Sequence, residues 1–272
     1  MNPTPPGREQ DSKQLQPNSL QLPEADTGAN QRTPAVADLQ FYFQPIFGIT
    51  RRPLIYEALV RWQDSTGAVH APAAFLAGLL ATENSATAFT SHTIEAAATV
   101  LSNYAELPAV SINLSPAQIC RNETLAHLEI LPYVLRRRLI IEVTEEVITE
   151  REPYSLWLGE TAALGIDLIL DDLMPADLDN RLLPHLPVAG VKLDRSLLPT
   201  LLAPEPDRAL LQTVRDLRRL KLSVAVEGIE DGSVFTRLVR LGFDRFQGYG
   251  LGAPLPLCRP ADLVAGTTAL MA

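Results

Sequence analysis

The sequence predicts an α/β fold, a TIM-like (β/α)8 barrel, in which strands and helices alternate along the chain. Two observations predict it. Short apolar segments typical of strands recur about eight times between residues 39 and 250, mostly separated by segments with helical periodicity. Polar residues also stand at the ends of successive strands, where a barrel gathers them at one mouth. A doubly wound open sheet is the alternative, although no glycine-rich phosphate motif follows the first strand.

Each predicted strand is a short apolar run bounded by turn residues. In the second strand, the alternation of faces places Glu57, Leu59 and Arg61 on one side. The predicted strands cover residues 41–47, 54–62, 109–113, 139–145, 166–172, 190–194, 223–228 and 245–250. Helices are predicted after Pro72, over residues 91–104 and, most clearly, over residues 207–221.

The first 37 residues differ in composition from the rest of the chain. They contain six prolines and five glutamines but no Phe, Tyr or Trp, so they offer little apolar surface to offset the entropy of ordering. We therefore predict a disordered tail over residues 1–37, acting as a linker or a partner-binding segment. One globular domain is predicted over residues 38–262, and a C-terminal extension over residues 263–272.

Charge and cysteine content exclude several classes of protein. The net charge of −9 argues against binding to duplex nucleic acid or to an anionic membrane surface. The two cysteines, Cys120 and Cys258, are too few for a disulfide framework or a four-thiolate zinc site. No apolar run approaches the roughly 18 residues of a membrane span, and the N-terminus does not read as a signal peptide. We therefore expect no membrane span and a cytoplasmic location.

Polar and charged residues, most of them acidic, recur within and at the ends of the predicted strands. A single carboxylate after a strand is usually a helix cap or turn residue, but a series in successive strands is hard to explain in that way. The series comprises Glu57, Asn113, Glu142, Asp171, Asp172, Lys192, Asp194, Glu227 and Gln247. Converging carboxylates repel one another unless a cation neutralises them, and all-oxygen ligands suit Mg²⁺ or Mn²⁺. None of the four histidines falls at a predicted strand end.

An anionic site with bound metal ions and a lysine can accept a phosphate ester. A pair of divalent ions can hold a phosphodiester, activate a water and stabilise the leaving oxygen. Glycoside hydrolysis is an alternative because it needs two carboxylates, although it does not explain five together with a lysine.

Eight short motifs follow one another from about Leu39 to Pro256, and in this order the sequence resembles the EAL-domain family, the cyclic di-GMP phosphodiesterases. The motifs are Gln44-Pro45-Ile46, Glu57-Ala58-Leu59, Asn113-Leu114-Ser115-Pro116, Glu142-Val143-Thr144-Glu145, Asp171-Asp172, Lys192-Leu193-Asp194, Glu227-Gly228-Ile229-Glu230 and Gln247-Gly248-Tyr249. The resemblance implies a barrel whose first strand is antiparallel to the others. It also implies hydrolysis of cyclic di-GMP to linear pGpG with Mg²⁺ or Mn²⁺.

The resemblance also implies a role for each matching residue. Glu57, Asn113, Glu142 and Asp171 resemble ligands of one metal ion, and Asp171 and Asp172 resemble ligands of a second. Lys192 and Glu227 resemble the catalytic pair that orients and deprotonates the attacking water. Arg61 resembles the contact to a substrate phosphate, while Gln247 and Asp194 support substrate binding.

One loop departs from the family pattern. The family has F-G-T-G-Y-S-S after the double aspartate, where this chain has residues 173–179, L-M-P-A-D-L-D. Because glycine permits positive φ and proline fixes φ near −65°, the backbone path should differ. The family loop helps to hold the second metal and contributes to a dimer contact. Glu145 resembles its anchoring glutamate.

Three hypotheses follow from these residues. The complete set of metal and base residues favours an active phosphodiesterase. The altered loop favours a catalytically silent receptor that binds cyclic di-GMP and signals through a protein partner. A purely structural module predicts the loss of polar residues at the strand ends, which this sequence does not show.

Overall fold

Eight strands close into a barrel in the computed structural model, which describes residues 33–256 apart from residues 120, 145, 150 and 179–182. The strands of this range are β1 (Leu39–Gly48), β2 (Pro53–Gln63), β3 (Val69–His70), β4 (Val110–Asn113), β5 (Leu139–Thr144), β6 (Asp167–Leu173), β7 (Gly190–Leu193), β8 (Ser223–Val226), β9 (Arg245–Phe246) and β10 (Leu255–Pro256).

The closed barrel follows the order β1-β2-β4-β5-β6-β7-β8-β9, and β9 pairs back onto β1. Strand β1 is antiparallel to both neighbours, β2 and β9, whereas every pairing from β2 through β4 to β9 is parallel. The predicted barrel with an antiparallel first strand is therefore confirmed. The short strands β3 and β10 extend β2 and β1 at their edges.

Helices occupy most of the connections between parallel strands. In chain order they are α1 (Leu76–Leu80), α2 (Glu83–Asn103), α3 (Pro116–Ile119), α4 (Asn122–Glu129), α5 (Tyr133–Arg136), α6 (Glu146–Thr149), α7 (Arg151–Ala163), α8 (Pro175–Leu178), α9 (Leu198–Leu201), α10 (Arg208–Arg219) and α11 (Phe235–Leu241). Short 3-10 turns lie at Val36–Asp38, Pro72–Ala74, Leu183–His185, Arg195–Leu197 and Gly232–Val234. Within the described range, none of the helices is both long and apolar enough to span a bilayer.

Local capping fixes the start of the longest helix. The sequence predicts this helix from residue 91, but α2 begins at Glu83 because Thr82 and Ser85 form a reciprocal capping box. Helix α10 lies within the predicted range 207–221 and begins after Asp207, whose carboxylate accepts hydrogen bonds from the Ala209 and Leu210 amides.

The barrel interior is layered by the alternation of side chains along each strand. Four buried isoleucines, Ile46, Ile55, Ile140 and Ile169, form one apolar cluster inside the barrel. Outward-facing strand residues such as Val191 and Val224 pack with the helices in a larger outer core. The next inward positions toward the mouth, at the carboxyl ends of the parallel strands, carry polar side chains. An acidic site therefore rests directly on an apolar layer.

The described residues begin at residue 33, within the range 1–37 for which the sequence predicted a disordered tail. Pro34 is buried, and Val36 packs against a small apolar cluster that includes Leu39 and Leu79. A Cβ at Gly78 on α1 would collide with the Thr33 hydroxyl. Residues 33–37 are thus packed on the outside of β2 and α1.

Candidate functional site

A cluster of carboxylates lies on the inner face of the barrel, one layer above the isoleucines. Glu57 on β2 stands opposite Gln44 on β1, and Asn113 on β4 stands opposite Glu142 on β5. Asp171 lies on β6, Lys192 on β7, and Glu227 directly follows β8. Because consecutive parallel strands deliver these side chains to one end of the barrel, residues far apart in sequence meet in one site.

Lys192 occupies the centre of this cluster. Its side chain is 2% exposed, and its Nζ lies 2.8 Å from Glu142 Oε2, 3.1 Å from Asp171 Oδ2 and 3.7 Å from Glu57 Oε2. It also forms a close ion pair with Glu227. A buried lysine of this kind is sustained by its charge partners, since an isolated ammonium would be strongly disfavoured there.

Amide side chains fix the orientation of Glu57. Asn113 Nδ2 donates to Glu57 Oε1 at 2.7 Å, and Gln247 Nε2 donates to Glu57 Oε2 at 2.5 Å. Gln247 Nε2 also lies 3.1 Å from Gln44 Oε1, and Gln44 Nε2 donates to the Gly252 carbonyl at 3.0 Å. The sequence reasoning did not include Gln44 among the site residues, although its place in the first motif and its position opposite Glu57 could have identified it.

The pKa values of the cluster reflect burial and mutual charge. Burial raises the pKa of Glu142 well above its ordinary value; Lys192 opposes this rise, and the charges of Glu57 and Asp171 reinforce it. Burial also raises the pKa of Glu227, to about 7, against the effect of Lys192. For Glu57, burial is outweighed by Lys192 and by the amide hydrogen bonds, and its pKa is lowered.

The pKa of Lys192 is well above its ordinary value, because the surrounding carboxylates outweigh the effect of burial. Lys192 therefore remains charged. Its single positive charge cannot balance all of the surrounding carboxylates when they are ionised. The excess of negative charge in the cluster is a property expected of a cation site.

The donor set fits a hard divalent cation. Carboxylate oxygens of Glu57, Glu142 and Asp171 lie within 4.8 Å of one another, and so do those of Asp171, Asp172 and Glu227. Glu142 Oε1 is buried without a hydrogen-bond partner, which leaves it available as a ligand. Oxygen ligands in this number suit Mg²⁺ or Mn²⁺ better than zinc or copper. Two overlapping groups that share Asp171 have the composition of a two-ion site.

Asp172 differs from the other carboxylates in its backbone and its exposure. It is exposed and has φ of 56°, and the pairing of β6 with β7 shifts register between Leu170 and Leu173. Aspartate tolerates this left-handed conformation better than most residues. The resulting bulge turns two consecutive aspartates toward the mouth.

The altered loop forms a helical turn directly after β6. Helix α8 begins at Pro175, and the Asp177 carboxylate accepts a hydrogen bond from the Met174 amide at 2.8 Å. Asp177 therefore acts as a turn residue within its own loop. Asp179 lies outside the described residues, and so does Glu145, which the resemblance predicts to anchor this loop.

Two further predicted substrate residues lie at the edge of the cluster. Arg61 is half-buried on the mouth side of Glu57, and its Nη1 donates to the Val60 carbonyl at 2.8 Å. Asp194 follows β7 and caps the next turn, where it accepts a hydrogen bond from the Ser196 amide at 2.9 Å. The structure thus places Arg61 where a ligand could reach it, while Asp194 has the geometry of a helix cap.

The fold and the site define a (β/α)8 barrel with a buried acidic centre suited to divalent cations. A family model described as the EAL domain matches residues 29–254. The chain therefore belongs to the EAL domain family.

Relatives with assigned activities support the same grouping. The cyclic di-GMP phosphodiesterase PdeB of Shewanella oneidensis is 28% identical over 240 residues, covering 81% of this chain and 27% of PdeB. The cyclic di-GMP phosphodiesterase PdeF of Escherichia coli is 27% identical over 228 residues, covering 79% of this chain and 30% of PdeF. This chain thus spans less than a third of the length of either relative.

A solved structure agrees in fold. The MucR phosphodiesterase of Pseudomonas aeruginosa, in complex with c-di-GMP, aligns with a TM-score of 0.68 at 24% identity. The alignment covers 80% of this chain and 97% of that one.

Proposed function

We propose that this chain is a metal-dependent phosphodiesterase that hydrolyses cyclic di-GMP to linear pGpG. The observation that carries the proposal is the convergence of four carboxylates around one buried lysine, with Asn113 bonded to one of them; the carboxylates are those of Glu57, Glu142, Asp171 and Glu227. A cluster of this kind is costly to bury, so its completeness argues for use in binding and chemistry rather than for stability. A cytoplasmic location, where a nucleotide signal would be met, is part of the same proposal.

The residues divide into two overlapping metal-ligand sets. Glu57, Asn113, Glu142 and Asp171 would hold one divalent ion, and Asp171 and Asp172 would hold a second. Asn113 uses its Nδ2 to bind Glu57, which leaves its carbonyl oxygen for a cation. Bound Mg²⁺ or Mn²⁺ would supply charge for the phosphate oxygens and make a water more acidic.

The chain's own groups position the water and the phosphate. Glu227, held by its ion pair with Lys192, accepts a proton from the attacking water. The water oxygen forms the new bond to phosphorus, the bond from phosphorus to the 3′ oxygen breaks, and that oxygen leaves with a proton from solvent. Arg61 has donors free for a phosphate oxygen, and Gln247 holds Glu57 in place.

A receptor that binds cyclic di-GMP without turnover is the second candidate. It is favoured by the altered loop, because the exposed Asp172 leads through Leu173 and Met174 directly into α8. A ligand of the second ion that is displaced by about 1 Å can lower the rate on the order of 10²-fold while binding persists. Signalling would then pass through a protein partner or a homodimer.

Incubation with cyclic di-GMP, followed by separation of the nucleotides, distinguishes the two candidates. We expect pGpG to accumulate with Mg²⁺ or Mn²⁺ and not with a chelator, and Glu142→Gln to abolish its formation. Binding of cyclic di-GMP without any pGpG would overturn the phosphodiesterase and leave the receptor.

A further inference from the structure

A buried glutamine holds the turn that follows β4. Asn113 ends β4, and α3 begins three residues later at Pro116. Gln118, on α3, is 2% exposed, and its Oε1 accepts hydrogen bonds from the Ser115 amide at 3.0 Å and from the Ser115 hydroxyl at 2.9 Å. The contact to the amide is one half of a capping box, in which a glutamine side chain reaches back to the residue before the helix. Gln118 therefore fixes the backbone two residues beyond Asn113.

The other end of the Gln118 amide ties this turn to α2. Its Nε2 donates to Thr90 Oγ1 at 2.8 Å, and the Thr90 hydroxyl donates in turn to the Ala86 carbonyl at 2.8 Å. The Gln118 backbone carbonyl accepts a hydrogen bond from the Thr124 hydroxyl on α4 at 2.7 Å. Thr90 and Thr124 are both almost fully buried. A connected and buried network favours one conformation, because each lost bond leaves a polar group unpaired.

Asn113 depends on this turn more than the other residues of the cluster do. Its side chain is exposed, whereas Glu142, opposite it in the register, is 1% exposed and is held by its surroundings. The Asn113 Nδ2 donates to Glu57 Oε1, and the carbonyl oxygen of the same amide is the atom left for a cation. The direction in which this amide leaves the backbone is set by the turn between β4 and α3. A looser turn would therefore displace the carbonyl oxygen.

We propose that Gln118 is a positioning residue for the cation site: it holds the turn after β4 so that the Asn113 carbonyl oxygen faces the divalent ion, and Thr90 anchors it to α2. Side chains that orient metal ligands contribute to metal affinity although they do not touch the ion. This inference rests on the proposed function, because the ion is the one held by Glu57, Asn113, Glu142 and Asp171 in that proposal.

Titration of Mn²⁺ into the full-length protein, followed by electron paramagnetic resonance, tests the proposal without any need for turnover. Gln118→Met keeps the length of the side chain but removes its hydrogen bonds, so it should raise the Kd for Mn²⁺ on the order of 10-fold. Thr90→Val should raise the Kd in the same direction, because Gln118 loses its anchor. Thr90→Ser keeps the hydroxyl and should restore the affinity of the wild type.

The matched control is Thr93→Val. Thr93 lies one turn further along α2, is 4% exposed and donates to the Phe89 carbonyl at 2.9 Å. Within the described residues its hydroxyl makes no bond to the turn after β4. Thr90→Val and Thr93→Val each remove one buried hydroxyl from the same helix, so a general weakening of α2 would affect both. The Kd for Mn²⁺ should rise in Thr90→Val alone.

The outcomes separate this inference from the proposed function. An unchanged Kd in a folded Gln118→Met protein, or an equal rise in the two threonine variants, would overturn the positioning role while leaving the proposed function intact. If Gln118→Met does not fold, the comparison of Thr90→Val with Thr93→Val decides the question. If the protein without substitutions binds no Mn²⁺, the metal site of the proposed function itself fails.

Discussion

At the scale of single residues, Lys192 supplies the positive charge at the centre of the acidic site. It contacts Glu57, Glu142, Asp171 and Glu227, and its side chain is almost fully buried. An ammonium in this position neutralises part of the carboxylate charge, as a divalent ion would. A metal ion and Lys192 would therefore both offset the excess negative charge of the carboxylates.

Replacing Lys192 should leave the excess negative charge of the carboxylates without its internal counter-charge. Lys192→Met leaves the carboxylates without their ammonium, so the metal-free protein should lose on the order of 3–5 kcal/mol of stability. Addition of Mg²⁺ or Mn²⁺ should then raise its melting temperature more than it raises that of the wild type. Thermal unfolding with chelator and with each ion measures both effects.

The matched control is Lys221→Met, which removes the same charge from an exposed position. It should change neither stability nor the response to ions appreciably. A Lys192→Met protein as stable as the wild type in chelator would contradict this role for the lysine.

Much of the site could be predicted from single residues, because strand-end position identifies the inward face. Asn113, Glu142, Asp171 and Lys192 were predicted in this way, and the structure brings them together. The periodicity of the sequence does not predict which neighbouring group a side chain will hydrogen-bond. Asp194 shows this limit, because its carboxylate bonds the Ser196 amide, and its assignment to substrate binding stays a prediction.

At the scale of elements, the segment after β6 decides how well a second ion could be held. Asp172 sits in a left-handed bulge, and α8 begins at Pro175. The sequence indicated an altered backbone path, because the glycines of the family loop are absent. It did not indicate the helical turn that Asp177 stabilises through the Met174 amide.

Grafting the family loop tests this element. Replacing residues 173–179 with F-G-T-G-Y-S-S should raise hydrolysis of cyclic di-GMP well above that of the wild type, on the order of 10–100-fold, with similar nucleotide affinity. Single-turnover rates and equilibrium binding measured side by side separate the two effects. Brisk turnover by the wild type and no gain from the graft would show that this loop is not a defect.

Strands were easier to predict than helix boundaries, for a physical reason. Each barrel strand buries an apolar face, so its hydrophobic residues form a recognisable pattern in the sequence. The apolar segment of β5 is an example. The first six residues of α2, 83–88, are small or polar, and the start of this helix depends on the capping contacts of Thr82. Such contacts depend on local backbone geometry, which a hydrophobic pattern does not register.

At the scale of the whole molecule, the residues directly before β1 pack against the outside of the barrel. Pro34 and Val36 lie against the outside of the barrel, and Thr33 packs on Gly78. Residues 33–36 therefore cover the outer side of β2, whose inner side carries Glu57 and Arg61.

Two truncations measure the contribution of this segment. Removing residues 1–38 should lower the stability more than removing residues 1–32, by on the order of 1–3 kcal/mol, because it also removes the apolar contacts of Pro34 and Val36. Urea unfolding of both proteins gives the difference directly. Equal stability of the two truncated proteins would show that these contacts contribute nothing.

The central claim is that the acidic barrel mouth binds a cyclic dinucleotide together with divalent ions. Calorimetric titration of cyclic di-GMP into protein carrying Glu227→Gln, which prevents turnover, with Mg²⁺ and with chelator, tests it most directly. We expect clearly tighter binding with Mg²⁺ than with chelator, because the carboxylates need neutralising before a phosphate can approach. The absence of binding in both conditions would contradict the account.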